Sequence, residues 1–200
     1  MERNIYIIKY KDIEIVFFMA GVSGPWIAGD IEELYSAGVQ KVIIFGNCGV
    51  LDSKIEDCSI IIPTKGFRDE GTSYHYVSPS ETIQINPDYK EDFIKILNEY
   101  NFVYTEGFTW TTDAFYRETK DKMKYFKDNG AVCVEMEGTV IASVCQRLNM
   151  KYFTFYYAGD NLDSTVWDKR SLEGLINFDK KKEVLLLALE LAVILNEDKY

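Results

Sequence analysis

The run AVCVEMEGT at residues 131–139 breaks four small apolar residues with two carboxylates and a methionine, after which apolar spacing resumes in VIASVCQRLN. Glu135, Met136 and Glu137 therefore fall where a buried strand hands over to a helix. In open α/β sheets that C-terminal strand edge is where ligands collect. A carboxylate at a helix N-terminus is also favoured by about 0.3–1 kcal/mol through the helix dipole. The dipole accounts for one Glu, and less easily for two flanking a Met. The stretch YYAGDNLD (156–163) repeats the geometry and brings Asp160 and Asp163 to the same edge, with an N-cap or Asx-turn as the plainer reading. Two Gly-rich stretches, AGVSGPW (20–26) and FGNCGVL (45–51), each read as a strand, a tight turn and a helix. Backbone N–H groups in such turns bind anions, but neither stretch has the spacing of a dinucleotide or P-loop fingerprint.

Other chemistries have little support. His75 is the only histidine, in RDEGTSYHY (68–76), and no GxSxG is present, which leaves no basis for a serine hydrolase. One His with four scattered Cys does not make a zinc site, and two Asp fall short of a calcium loop. No metal is expected.

These residues must be positioned by strands and helices in alternation. Strand-like runs are NIYIIKY, 13–19, 41–46, 58–63, 103–110, AVCV and 151–157, rich in Ile, Val, Phe and Tyr. Several are apolar throughout, as strands covered on both faces are. Helical spacing joins Ile27, Ile31, Leu34 and Tyr35, ending at Gly38. It also joins Phe93, Ile96, Leu97 and Tyr100, and Ile141, Val144, Cys145 and Leu148, with a closing helix over 183–195. This is an α/β layered pattern. A hairpin turning at Lys11-Asp12 makes the sheet mixed.

Two hundred residues, 47% hydrophobic and 27% charged, suit one domain over 1–200 with a substantial core. The apolar run 184–195 is interrupted by Glu190 and too short to cross a bilayer. The charged N-terminus has no signal-peptide core, and Cys48, Cys58, Cys133 and Cys145 lack CxxC spacing, so a cytoplasmic protein with reduced thiols is expected. A net charge of −10 argues against nucleic acid or an anionic membrane as partner.

The same pieces, in this order, resemble the nucleoside phosphorylase family and within it the uridine phosphorylase-like branch. GVSGPWIAGDIEELYSAGV is similar to the family's Gly-Gly-Pro turn and helix, VIIFGNCGVL to its phosphate-side Gly turn, and RDEGTSYHY to a loop of the branch. TTDAFY resembles the base-pocket segment, VEMEGTVIASVC the ribose-binding segment, and AGDNLD the turn carrying the general acid of purine-acting relatives. The match runs from about Ile5 to Leu195.

The resemblance implies a three-layer α/β/α sandwich with a mixed, partly barrel-like central sheet, in a homo-oligomer from dimer to hexamer. It implies cleavage of an N-glycosidic bond, with nucleoside and phosphate as small-molecule partners and no cofactor beyond phosphate as co-substrate. Met136 would lie under the ribose, Glu137 would accept its hydroxyls, Phe115 would stack on the base, and Asp160 would protonate a purine leaving group. Glu135, Thr112, Asn47, Cys48, Gly49 and Val22 complete the implied substrate-binding set. Gly46, Asn47, Arg68 and Arg3 are the implied phosphate contacts. The chain departs from the family pattern at several points. Ile44 stands where the family has an Arg, and Asn47 where it has a small hydroxyl residue. The N-terminal phosphate-loop strand has no counterpart, and Arg117-Glu118-Thr119-Lys120 replaces the Gln-x-Arg that reads uracil. A purine is thus favoured over uridine. Hydrolysis by water, or nucleoside binding without turnover, are the alternatives.

Overall fold

A computed structural model describes residues 4–172 and 176–198. The chain opens with β1 (Ile5–Tyr10) and β2 (Ile13–Phe18), an antiparallel hairpin with Lys11 in the left-handed region at φ 51°. The turn falls where the sequence places it. The hairpin does not join the main sheet, however, but stands as a two-stranded sheet of its own. Tyr10 and Lys11 tie it to the closing helix through Glu190.

The main sheet has six strands: β3 (Lys41–Val50), β4 (Ile60–Asp69), β5 (Thr82–Gln84), β6 (Tyr104–Thr112), β7 (Ala131–Glu135) and β8 (Lys151–Asn161), in the order β5-β4-β6-β7-β3-β8. β4–β6, β6–β7 and β3–β8 are parallel, whereas β3–β7 and β4–β5 are antiparallel. The mixed character comes from these pairs and not from the hairpin. Ile60 and Ile61 of β4 also pair antiparallel with Tyr157 and Tyr156 of β8, which curls the sheet into a partial barrel. Its interior holds Cys48, Val50, Ile61, Cys133, Tyr156 and Ala158.

Helices cover the sheet in two layers because strand side chains alternate between faces. On one side α1 (Gly24–Ser36) and α4 (Gly138–Leu148) pack Ile27, Ile31, Val140, Ile141 and Val144 with Tyr152 of β8. On the other, α2 (Lys90–Glu99) and α5 (Phe178–Glu197) pack Phe93, Leu97, Leu187 and Leu191 with Phe153 and Phe155. Each such buried side chain contributes roughly 1.5–3 kcal/mol. A further helix, α3 (Lys120–Asp128), lies over β7 and was not expected, since KDKMKYFKD offers only Met123, Tyr125 and Phe126 as apolar or aromatic residues. β5 was missed as well, being three residues long.

Two strand expectations change in a way that affects the site. FGNCG is not a turn leading to a helix. β3 continues through it to Val50 along β8, with a bulge between Cys48 and Gly49. Two glycines read as a turn, but Gly49 is required by crowding. A Cβ there would lie 2.3 Å from Leu162 Cδ1 and 3.1 Å from Asp160 Oδ1. β8 likewise runs on to Asn161, so Asp160 leaves the sheet from within a paired strand and not from a turn.

Candidate active site

The turn before α1, the 68–76 loop, the end of β6 and the start of α4 meet at the C-terminal ends of β6 and β7. The turn before α1 places Ser23 at φ 102°, a strained value for a residue with a side chain, and Pro25 then starts the helix with its φ already set. The strained turn directs the Ser23 N–H onto Glu137 Oε1 at 2.6 Å. Asp113, next to Thr112 at the end of β6, accepts from the Gly71 N–H at 2.9 Å and so brings the 68–76 loop against TTDAF. A Cβ on Gly24 would meet Val140, Thr72 and Asp113 at 3.0–3.5 Å, so the absence of a side chain there lets all three approach.

Glu137 is the N-cap of α4 and half-buried. Burial, and then the charge of Glu135, push its carboxyl up to about 7, against the pull of the Ser23 and Met136 amides. Met136 lies beside it, partly buried. Glu135 is fully committed inside the protein. Its Oε1 accepts from the Thr109 and Thr111 hydroxyls at 3.0 and 2.6 Å, and its Oε2 from the Glu137 and Gly138 amides at 2.7 and 2.5 Å. Burial raises its pKa, and these four donors act in the opposite direction.

Asp160 stands over Gly49 across the β3–β8 pair. Its Oδ2 accepts the Trp167 indole N–H at 2.7 Å, and burial raises its pKa. Glu118, in the segment after Phe115, is held near enough to feel Asp160's charge. Burial and that charge push its carboxyl up to about 7. Neither Glu118 nor Trp167 stood out in the sequence, because an acid in RETK and a Trp in a polar loop carry no spacing signal. Phe115 is half-exposed and tilted against Tyr116, with centroids 4.2 Å apart. Thr112 is buried and accepts from the Ala114 amide, and Val22 is exposed beside the Ser23 turn.

The residues that the resemblance implies as phosphate contacts are placed differently. Gly46 and Asn47 lie in the β3–β8 ladder, with Asn47 exposed. Cys48 is buried, and its thiol pKa is pushed well up, chiefly by burial. Ile44 packs against the α1/α4 core. Arg68 is buried and turned into its own loop, donating from Nε to Ser73 and from a terminal nitrogen to Ser78 and Ser80, over the Tyr74 ring. Arg3 lies outside the described residues. Asp163 is bonded to Ser53 and Lys127. Among the described residues no group of His, Cys, Asp or Glu is arranged to hold a metal ion, and no helix is long and apolar enough to cross a membrane.

The family model described as the phosphorylase superfamily matches residues 1–194. The chain belongs to the phosphorylase superfamily. Its relatives within that superfamily divide by reaction. A guanosine phosphorylase of Halorubrum lacusprofundi is 23% identical over 150 residues, 75% of this chain and 62% of that protein. A 5'-methylthioadenosine/S-adenosylhomocysteine nucleosidase of Buchnera aphidicola is 26% identical over 199 residues, 92% of this chain and 84% of that protein. The fold is that of the Toxoplasma gondii purine nucleoside phosphorylase solved with immucillin-H, at a TM-score of 0.82 and 17% identity over 94% of this chain and 77% of that one. This phosphorylase-superfamily chain spans less than two thirds of the length of the guanosine phosphorylase it matches.

Proposed function

We propose that this chain cleaves the N-glycosidic bond of a nucleoside, a purine nucleoside in preference to uridine, with phosphate as acceptor and no other cofactor. The observation that carries the reading is the Glu137 carboxylate, fixed at the start of α4 by the Ser23 N–H at 2.6 Å with Met136 beside it. A half-buried carboxylate accepts sugar hydroxyls strongly and stabilises positive charge developing on the ring. As the bond from C1' to the base breaks, its electron pair leaves with the base and a phosphate oxygen bonds to C1'. Asp160, whose burial favours the protonated form, gives its proton to the departing purine. Such a transfer is worth about 10²–10⁴-fold. Uracil lacks the imidazole nitrogen that would take this proton, so an acid here supports a purine.

Hydrolysis is the second reading, and the phosphate side favours it. Ile44 packs against the apolar core, and Arg68 already spends Nε and one terminal nitrogen on its own loop. The Buchnera nucleosidase, matched over most of this chain, points the same way. The deciding experiment incubates the protein with inosine, adenosine, uridine and methylthioadenosine, with and without phosphate, and follows base release. Release that requires phosphate supports phosphorolysis, and release without it supports hydrolysis. Binding with no release overturns both and leaves a nucleoside-binding protein.

A further inference from the structure

Behind Glu137 lies a second carboxylate that the proposed reaction does not use. A carboxylate offers about four acceptor sites, and the two hydroxyls and two amides on Glu135 fill them. None is left for a sugar.

The bonding continues outward from Glu135. Thr111 Oγ1 gives its single proton to Glu135 and takes the Thr139 N–H at 3.1 Å. The Thr139 hydroxyl donates to Glu70 Oε1 at 3.0 Å. Ser73 donates its hydroxyl to the same oxygen and its amide to Oε2 at 2.9 Å. Ser73 Oγ in turn accepts from Arg68 Nε at 2.8 Å, and Arg68 holds Ser78 and Ser80. Thr111, Thr139 and Ser73 are wholly buried. Each of these hydroxyl protons runs towards Glu135 or Glu70, so the order of donors and acceptors along the chain is fixed.

We infer that Glu135 is a positioning residue, which aims Glu137 by fixing the two amides that open α4 and is itself tied through Thr111, Thr139 and Glu70 to the 68–80 loop. The inference rests on the reading of Glu137 as the sugar's acceptor. Glu135 acts through its charge as well, being the second cause, after burial, of the raised Glu137 pKa. The groups facing Glu137 are Glu135 from β7, Tyr156 from β8, and the Ser23 and Met136 amides.

The test compares Glu135→Gln and Thr111→Val with the wild type. One measurement is the ¹³C-NMR titration of the Glu137 carboxyl in the free protein, and the other is calorimetric binding of inosine across the same pH range. In Glu135→Gln the side-chain oxygen still serves the two amides, and the threonine hydroxyls can turn to accept from its NH₂. Glu137 is expected to titrate about one unit lower, since a like charge has gone. The acid limb of inosine binding should move with it, while affinity at high pH falls less than about tenfold. Thr111→Val keeps the Glu135 side chain and cuts the tether, so affinity should drop about tenfold, and Thr111→Ser should restore it. A Glu135→Gln protein that loses more than about 100-fold in affinity with Glu137 titrating as before would make Glu135 a sugar ligand and overturn the inference. If the wild type binds neither inosine nor uridine, the reading of Glu137 fails. The titration of the free protein still decides whether Glu135 sets it.

Discussion

Trp167 donates its indole N–H to Asp160 Oδ2 at 2.7 Å, so the carboxyl proposed to protonate the leaving base already has a partner. A donor on a carboxylate favours the charged form and lowers the pKa, against the burial that raises it. Replacing Trp167 by Phe removes the donor and moves the Asp160 pKa further up. Since the acid must be protonated to act, the alkaline limb of the purine cleavage rate should shift to higher pH in Trp167→Phe. A pH profile of base release from inosine reads this directly. An unchanged limb would separate Asp160 from the proton transfer.

Asp160→Asn removes the proton itself. Purine cleavage should fall by about 10²-fold or more, while uridine cleavage, if present, changes little. Steady-state rates on both substrates provide the check, and equal losses on both would argue against the acid role.

Glu137→Gln should weaken nucleoside binding by about 10- to 100-fold, the value of a hydrogen bond to a charged acceptor. The wild-type protein should lose affinity as pH falls through about 7, where Glu137 takes a proton. Stability runs the other way. A carboxyl whose folded pKa lies above its unfolded value binds more protons when folded, so stability declines as pH rises from its ordinary value of 4.5 to about 7. Glu118 has the same sign over the same window. Thermal unfolding at several pH values should show this slope, and Glu137→Gln should flatten it.

Gly49→Ala should cost about 1–3 kcal/mol by overpacking, because its Cβ would sit 2.3 Å from Leu162 Cδ1. Asp160 Oδ1, at 3.1 Å, would also be displaced, so activity on purines should fall along with the denaturation midpoint. Loss of stability with full activity would show that Leu162 alone yields.

The elements that carry strong periodicity were legible in the sequence. The four helices with apolar stripes, the Lys11-Asp12 hairpin and the AVCV strand running into α4 all lie where the pattern puts them. What failed had a local cause. In FGNCG only Gly49 is fixed by crowding, from side chains more than 100 residues away in sequence at Asp160 and Leu162, and a single sequence does not show it. α3 buries little, so its stripe is short. At the site, the pairing of carboxylates in EME was visible, but their different hydrogen-bond partners were not. These include Thr109 and Thr111 of β6 and the Ser23 amide, all distant in the chain. The Trp167 contact with Asp160 comes from the path of a loop that no periodicity governs.

The strained Ser23 turn has a thermodynamic consequence for any ligand. Its amide, and those of Glu137 and Gly138, are locked before a substrate arrives, and the cost of ordering them falls on folding. On the proposed reading a nucleoside meets an acceptor whose rotamer entropy is already spent, so its binding free energy is not diminished by freezing the clamp. Mutations that relax the turn should therefore make the apoprotein more stable and the complex weaker, by linked amounts.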